Sequence, residues 1–229
     1  DEGTSAQKDK ADTARVEFRN VTFTYAGSQV PALTGISFTA KPGETIGIIG
    51  GTGCGKSTLV NLIPRFYDVT QGEILIDGNS VKAYPFAQLR TKIGMVPQHA
   101  VLFKGTIRDN MKWGKADATD QQIDLALSIA QAKDFVDSKL EKLDTMISQG
   151  GANLSGGQRQ RLTIARALVG KPEILVMDDS ASALDFATDA ALRHAIHEQT
   201  KGMTVFIVSQ RATSIKQADK ILVLDDGAL

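Results

Sequence analysis

Nine residues decide the fold: Gly50-Gly51-Thr52-Gly53-Cys54-Gly55-Lys56-Ser57-Thr58, or GGTGCGKST. They fit the P-loop pattern G-x-x-x-x-G-K-[S/T] between an apolar run, Thr45–Ile49, and a stretch with helical spacing. The glycines let backbone N–H groups turn inward around phosphate oxygens, and the helix start adds positive potential. We therefore predict a nucleotide site built from Gly50 to Thr58. Lys56 should reach the β- and γ-phosphates, Ser57 should coordinate Mg²⁺, and Cys54 is interpreted as a small residue tolerated in a tight loop.

Apolar strands alternate with helices around this motif, which predicts an α/β fold with a parallel sheet covered on both faces. The N-terminal stretch VEFRNVTFTY alternates apolar and polar residues, but the parity changes near Asn20, which predicts strands with a bulge or break. The remaining predicted elements are a first helix with Leu59, Leu62, Ile63 and Phe66, a mostly helical middle with Ile123, Ala126, Leu127 and Ala130, a helix after Gly157, strand Ile174–Met177, a helix with Leu192 and Ile196, and strands Val205–Val208 and Ile221–Leu224.

The composition is that of a globular chain of 229 residues with 42% hydrophobic residues. Lys+Arg and Asp+Glu both number 26, so the net charge of zero gives no electrostatic argument for a nucleic-acid partner. The single cysteine excludes an internal disulfide and fits a reducing compartment. The polar, charged segment Asp1–Ala14 is predicted to be a linker or disordered tail, and a start at Asp1 instead of Met indicates an excised domain.

A second motif, ILVMDDSASALD, runs from Ile174 to Asp185. Asp178 ends an apolar strand, and a buried acid at a strand end needs a partner such as hydrated Mg²⁺. In an ATP-hydrolysing site, the next acid, Asp179, is expected to take a proton from the attacking water.

The stretch NLSGGQRQRLTIARAL, Asn153 to Leu168, predicts a helix capped by Ser155 whose glycine-rich start presents free N–H groups. This is a second anion site, although an ordinary capped helix would have the same pattern. With the P-loop, these residues resemble the nucleotide-binding domains of ATP-binding-cassette (ABC) transporters, from about Val16 to the C-terminus. In that family two domains pack head to tail and each signature closes on the partner's nucleotide. The resemblance thus implies that Ser155, Gly156, Gly157 and Gln158 bind a neighbour's ATP.

The resemblance implies a P-loop NTPase fold of the ABC ATPase type over residues 15–229. It comprises a mostly parallel sheet core, an N-terminal antiparallel β subdomain and a helical subdomain at about 99–168. Tyr25 matches the aromatic that stacks on adenine, although its parity with Phe23 also allows a core role. Gln98 matches the glutamine that contacts Mg²⁺ and links the site to the membrane domain. SALD, Ser182–Asp185, resembles the loop at the dimer interface, or else is a helix N-cap turn.

The stretch LRTKIGMVPQHAVLFKGTIRDN resembles the exporter branch, but three positions depart from its pattern. Asp179 stands where exporters usually have Glu, Gln210 where they have His, and Ser148-Gln149-Gly150 where they often have Gly-Glu-Arg. Asp is one methylene shorter than Glu, and Gln cannot carry a positive charge. The departures at Asp179 and Gln210 should weaken water activation and contact with the γ-phosphate, while the residues that hold ATP remain. The departure at Ser148-Gln149-Gly150 puts the usual contact for communication across the dimer in doubt.

The combination resembles the degenerate-site half of a heterodimeric exporter at the cytoplasmic face of the cell membrane. The expected ligands are ATP and Mg²⁺, and the expected partners are an upstream transmembrane domain and a second nucleotide-binding domain of a different subunit. Other interpretations are a homodimeric exporter with tolerated or introduced substitutions, and a regulatory module that binds ATP without turnover. A DNA-repair type ATPase is disfavoured because no sustained heptads lie between P-loop and signature.

Overall fold

The computed structural model describes residues 14–180 and 183–229. The prediction of a tail at Asp1–Ala14 therefore falls, except for Ala14, outside the described residues. The strands are β1 (Val16–Phe23), β2 (Leu33–Ala40), β3 (Thr45–Gly50), β4 (Gln71–Ile76), β5 (Asn79–Ser80), β6 (Ile93–Val96), β7 (Gly105–Thr106), β8 (Met146–Ile147), β9 (Ile174–Asp178), β10 (Thr204–Val208) and β11 (Lys220–Leu224). The α-helices are α1 (Lys56–Leu62), α2 (Phe86–Thr91), α3 (Ile107–Lys112), α4 (Asp120–Ile129), α5 (Lys133–Asp137), α6 (Gly156–Leu168), α7 (Phe186–Gln199) and α8 (Ala212–Ile215).

The strands form a five-stranded sheet in the order β11-β3-β10-β9-β6, in which every pairing is parallel. A second, antiparallel sheet has the order β2-β1-β4-β5, and β7 and β8 make a short antiparallel pair. The predicted fold class, a parallel core with an N-terminal antiparallel sheet and helices, is confirmed.

The predicted irregularity near Asn20 is a real bulge in β1. The register with β2 shifts between Phe18 and Val21, and Asn20 has a φ of 46°. The extra residue returns the apolar side chains to one face, because Phe18, Val21 and Phe23 are all buried. The bulge therefore explains the parity change in the sequence.

The parallel sheet lies between two apolar cores, because successive side chains of each strand point to opposite faces of the sheet. On β10, Phe206 and Val208 join the core beneath the antiparallel sheet, while Val205 and Ile207 join the core under the longer helices. All five residues of β9 and of β10 are buried. The pattern expected of a sheet covered on both faces is thus present.

The helical middle of the chain contains α3, α4, α5 and α6. Its predicted apolar positions Ile123, Ala126, Leu127 and Ala130 are buried, and α4 packs on α6. The division of the chain into a domain at 15–229 with a helical subdomain at about 99–168 stays a prediction. Within the described ranges no helix is long and apolar enough to cross a membrane.

The predicted helical position of Phe66 is wrong. Helix α1 ends at Leu62 and Phe66 is 47% exposed, with the Arg90 guanidinium 5.5 Å from its ring centroid. The helix stops because Pro64 has no N–H to donate to the preceding turn, and Arg65 after it has a left-handed φ of 54°.

We predict that Phe206→Ala lowers the free energy of unfolding by about 3–5 kcal/mol, because a buried aromatic is lost and a cavity remains. Phe206 is 0% exposed, and its ring centroid lies 6.3 Å from that of Phe38, so it joins the two sheets. Urea unfolding followed by circular dichroism measures the change. The matched control is Leu140→Ala at a side chain that is 100% exposed, which should change stability by less than about 0.5 kcal/mol. Equal effects of the two variants would contradict the assigned packing.

Candidate functional site

The carboxyl ends of the parallel strands meet at one edge of the sheet. The register aligns Val208 of β10 with Ile48 of β3 and with Asp178 of β9. The P-loop follows β3, Asp179 follows β9, and Gln210 lies two residues beyond β10. The parallel topology therefore brings together residues that are far apart in the sequence.

The P-loop connects β3 to α1, and at two of its glycines a side chain would clash with neighbouring backbone. A Cβ at Gly50 would lie 2.1 Å from the Leu224 carbonyl oxygen, and one at Gly55 would lie 2.8 Å from the Ala32 carbonyl oxygen. Gly55 is the N-cap of α1 at a φ of 102°, with no side chain capping the helix start. By contrast, a Cβ at Gly51 or Gly53 would meet nothing within 4 Å in the described part of the chain, so space for a ligand lies beside them.

Lys56 is buried, and its ammonium group turns back into the loop. Its Nζ donates to the carbonyl oxygens of Gly50 (2.8 Å) and Gly51 (2.6 Å) and lies 3.7 Å from Cys54 Sγ. A buried ammonium group needs such acceptors. Phosphate oxygens would be stronger acceptors because the bond is then charge-assisted on both sides. The loop thus fits a polyphosphate.

Ser57 and Asp178 form the oxygen pair that fits Mg²⁺. Ser57 Oγ donates to Asp178 Oδ1 at 3.0 Å, which joins α1 to the end of β9. Burial raises the pKa of the Asp178 carboxyl above its ordinary value, and the charge of Asp179 acts in the same direction. The Ser57 hydrogen bond and the charge of Lys56 oppose the rise in pKa. Among the residues that the structure describes, no group of three or more His, Cys, Asp or Glu could hold a metal. A metal here would depend on few protein ligands plus phosphate and water, as Mg²⁺ does.

Asp179 and Gln210 contact each other directly. Gln210 Nε2 donates to Asp179 Oδ2 at 3.2 Å. The Asp179 backbone has a φ of 44°, in the left-handed region, and its N–H donates to the Val208 carbonyl at 3.1 Å. The two positions that depart from the exporter pattern therefore form one hydrogen-bonded pair at the strand ends.

Tyr25 has features of both roles expected for it. Its hydroxyl hydrogen-bonds Thr58 Oγ1 at 2.9 Å, which places the ring beside the start of α1. Its edge-on neighbours are Phe23 and Tyr67, with ring centroids 4.8 and 5.3 Å away. Tyr25 is 37% exposed, so it retains a free surface. Adenine stacking stays a prediction, and no sequence pattern pointed to the supporting Tyr67.

Gln98 follows β6, the strand next to β9, and is exposed. Its side chain makes no hydrogen bond in the described part of the chain. Gln98 therefore lies at the carboxyl edge of the parallel sheet but is not bonded to Ser57 or Asp178. Its contact with Mg²⁺ stays a prediction.

The signature residues form the start of α6. Ser155 Oγ accepts from the Gln158 backbone N–H at 3.2 Å, and Gln158 Oε1 accepts from the Ser155 N–H at 3.0 Å. A Cβ at Gly157 would lie 3.4 Å from the Ala183 carbonyl, so Gly156 and Gly157 begin a helix beside the residues that precede α7. No hydrogen bond joins this helix start to the P-loop within residues 14–180 and 183–229.

The SALD segment is only partly described, because Ser182 lies outside the described residues. Asp185 caps α7 by accepting from the Thr188 N–H at 2.9 Å. The N-cap interpretation of Asp185 is therefore confirmed, and the interface role stays a prediction.

A strand, a glycine loop with an inward lysine and a helix that begins uncapped are the phosphate-binding arrangement of P-loop nucleotide-binding proteins. The comparisons with known proteins define the class further. The family model "ABC transporter" matches residues 33–182, more than half of the sequence. The chain belongs to the ABC transporter family, as an ATP-binding domain of the type found in exporters.

Two curated relatives have export functions in their names. The chain is 48% identical over 212 residues to a beta-(1→2)glucan export ATP-binding/permease protein of Rhodopseudomonas palustris, covering 93% of this chain and 35% of the relative. It is 40% identical over 225 residues to a putative multidrug export ATP-binding/permease protein of Staphylococcus aureus, covering 98% of this chain and 39% of the relative. The chain thus spans little more than a third of the length of these relatives.

A solved structure has the same fold. It is a bacterial Atm1-family ABC exporter with ATP bound, with a TM-score of 0.90 and 37% identity. The match covers 96% of this chain and 38% of the exporter chain. The expected ABC ATPase fold is confirmed.

We predict that maleimide labels Cys54 slowly, that labelling blocks ATP binding, and that Mg-ATP protects the thiol. Cys54 is 8% exposed within the P-loop, so reagent access requires the loop to open, and a bound nucleotide would hold it closed. Labelling is measured by intact mass with and without saturating Mg-ATP. In Lys56→Ala, which should not bind nucleotide, Mg-ATP should give no protection. Equal labelling rates of the wild-type chain in both conditions would contradict the assignment of the loop.

Proposed function

We propose that this chain is the motor domain of an ABC exporter whose own ATP site is degenerate and hydrolyses slowly, and whose signature completes the ATP site of a partner domain. The observation that carries this proposal is the hydrogen bond from Gln210 to Asp179 at 3.2 Å. It joins the two residues expected to act on the attacking water and the γ-phosphate. Oδ2 of Asp179 and Nε2 of Gln210 are thereby directed at each other instead of at water and phosphate.

The residues that hold ATP support binding at this site. Lys56 would exchange the carbonyl oxygens of Gly50 and Gly51 for the β- and γ-phosphates. Ser57, Asp178 and Gln98 would hold Mg²⁺, and Tyr25 would stack on adenine through its exposed surface. A magnesium ion held by these residues would neutralise part of the charge of the phosphates.

The residues expected to act on water are less suited to their task. The Asp179 carboxylate is one methylene shorter than that of Glu, and a displacement of about 1 Å can lower a rate by roughly 10²-fold. Gln210 Nε2 donates to Oδ2 of that carboxylate, so this oxygen is bonded to a side chain in place of a water. Gln210 also provides no positive charge for the γ-phosphate. Slow hydrolysis at this site follows.

The signature supports a role at a different ATP. The Ser155 hydroxyl accepts from its own helix and keeps its proton free to donate outward. The helix start has exposed Ser155 and half-buried Gly156 and Gly157, and no P-loop residue of the described chain bonds to it. A second nucleotide-binding domain, packed head to tail and belonging to a different subunit, would bring its γ-phosphate to these donors. We propose no nucleic-acid partner.

An aromatic surface supports a membrane-domain partner fused upstream, as in the ATP-binding/permease relatives. Phe103 and Trp113 stack with ring centroids 4.6 Å apart, and Trp113 is 69% exposed. Both lie downstream of Gln98, near α3. Exposed stacked aromatics are typical of interfaces. We place the domain at the cytoplasmic face of the membrane, where such a transporter meets ATP.

The alternative is a regulatory module that binds ATP with negligible turnover anywhere in the assembly. The Asp179–Gln210 pair favours this alternative only for the chain's own ATP site. The two functions differ at the partner's site, which only the exporter motor would complete through Ser155.

We predict that the double substitution Asp179→Glu with Gln210→His raises the steady-state ATPase rate of this chain at least about tenfold, since it restores a longer carboxylate and a side chain able to carry charge. A coupled phosphate-release assay measures the rate. The control is the same double variant with Lys56→Ala, which should have no turnover. A wild-type chain that already turns over vigorously would contradict the degenerate-site proposal.

We also predict that two substitutions in this chain act at different sites of the assembled pair. Ser155→Arg should lower turnover at least about 10²-fold, because it places bulk and charge where a donor must meet the partner's γ-phosphate. Asp179→Asn should change turnover by a small factor only. The measurement is steady-state ATPase of each variant assembled with the wild-type partner.

The comparison of these two variants separates the two kinds of assembly. In a symmetric homodimer both substitutions would strike both sites, and both effects should be severe. If Asp179→Asn abolishes turnover as completely as Ser155→Arg, then Asp179 is a working catalytic base and the proposal is wrong.

A further inference from the structure

A tight turn after β11 packs against the back of the P-loop. Asp225 and Ala228 exchange two backbone hydrogen bonds of 2.9 Å, which closes a two-residue hairpin turn. Its central residues, Asp226 and Gly227, have φ angles of 41° and 78°. Two consecutive positive φ angles define a type I′ turn, for which Asp-Gly is a preferred pair. Within this turn Gly227 is buried, whereas Asp225, Asp226 and Ala228 are exposed.

Gly227 connects the P-loop to the antiparallel sheet. Its N–H donates to the Cys54 carbonyl at 3.2 Å, and its own carbonyl accepts from the Thr34 N–H at 2.8 Å. Thr34 belongs to β2, the edge strand of the antiparallel sheet. One residue thus joins the loop after β3 to a second sheet, through backbone atoms alone.

The hydrogen bond to Cys54 fixes the orientation of the next peptide group. In a trans peptide the C=O and the following N–H point in opposite directions. A Cys54 carbonyl that faces Gly227 therefore turns the Gly55 N–H away from the hairpin. That N–H donates to no acceptor within the described part of the chain, so it is available to a phosphate oxygen.

The geometry points to a functional role for this turn. We infer that Gly227 is a positioning residue for nucleotide binding, which holds the Cys54–Gly55 peptide so that the Gly55 N–H faces the phosphates. This inference rests on the proposed binding of ATP at the P-loop. Gly227 lies far from the P-loop in the sequence and is not among the site residues that the sequence predicts.

Glycine is the only residue type that position 227 accepts without a shift of the surrounding backbone. A Cβ there would lie 2.8 Å from the Ala32 carbonyl oxygen, and the φ of 78° is one that side chains rarely adopt. Because Ala32 presents backbone, the turn itself must shift. A shift would lengthen a hydrogen bond to Cys54 that already measures 3.2 Å.

The test compares Gly227→Ala with a matched glycine in the full 229-residue chain. Gly202→Ala is the control, because Gly202 has a similar φ of 84° but nothing within 4 Å of its Cβ position and lies in the turn before β10. We measure the affinity for ATP by calorimetry, the melting temperature without nucleotide, and the labelling rate of Cys54. A second variant, Ala228→Pro, removes one hydrogen bond of the turn at an exposed residue and decides the question if Gly227→Ala does not fold.

We expect Gly227→Ala to weaken ATP affinity roughly three- to tenfold, the range for the loss of one hydrogen bond. Cys54 should label faster, and Ala228→Pro should change both quantities in the same direction by less. Gly202→Ala should lower the melting temperature comparably while leaving affinity and labelling unchanged. Wild-type affinity and labelling in folded Gly227→Ala, or losses that track melting temperature in both glycine variants, would overturn the positioning role. A wild-type chain that binds no ATP would instead contradict the proposed function itself.

Discussion

The hydrogen bond from Ser57 to Asp178 is the contact around which the site is organised. It joins the first turn of α1 to the end of β9, two strands away from β3, across the carboxyl edge of the parallel sheet. Asp178 is 6% exposed, and a carboxylate buried that deeply requires a partner or a metal. The serine provides that partner. The fold can therefore keep an acid at this position before any ion is bound, with its pKa raised by burial.

This arrangement separates holding ATP from splitting it. The groups expected to hold ATP, Lys56 and Ser57, are placed by hydrogen bonds to carbonyl oxygens of the P-loop and to the buried Asp178. The groups expected to act on water, Asp179 and Gln210, lie at less buried strand ends and depend on side-chain length. A change of one methylene or of one charge there leaves the sheet and the P-loop intact. Loss of catalytic competence with retention of binding is thus structurally easy in this fold, which is why the proposed asymmetry is physically reasonable.

The sequence predicts this fold where the signal is local or strictly periodic. The P-loop between an apolar run and a helix, the apolar runs of β9 and β10, and the bulge at Asn20 all belong to that class. The prediction for Phe66 is wrong because it extends the helical spacing through Pro64, which lacks the N–H that the next helix hydrogen bond needs. Periodicity alone does not tell where a helix stops.

The parts of the site that could not be predicted are contacts between distant segments. The hydrogen bond between Gly227 and Cys54 has a local signal, the Asp-Gly pair of a hairpin turn, but nothing in the sequence says that the turn packs on the P-loop. Likewise the turn of Lys56 toward its own loop carbonyls follows from burial, which a motif does not contain. The roles of Gln98 and Ser155 depend on groups outside the described residues and remain predictions.

Strand β11 has a consequence for the behaviour of the chain in solution. It is an edge strand of the parallel sheet, and Ile221 and Val223 are 48% and 61% exposed on one of its faces. Within the described residues no strand pairs with its outer edge. An exposed apolar edge of this kind is a template for sheet extension between molecules, and Lys220 is its one charged residue. The outer edge of β11 is therefore a place where a further strand could pair with the sheet that carries the P-loop, separate from the proposed contact of signature and P-loop.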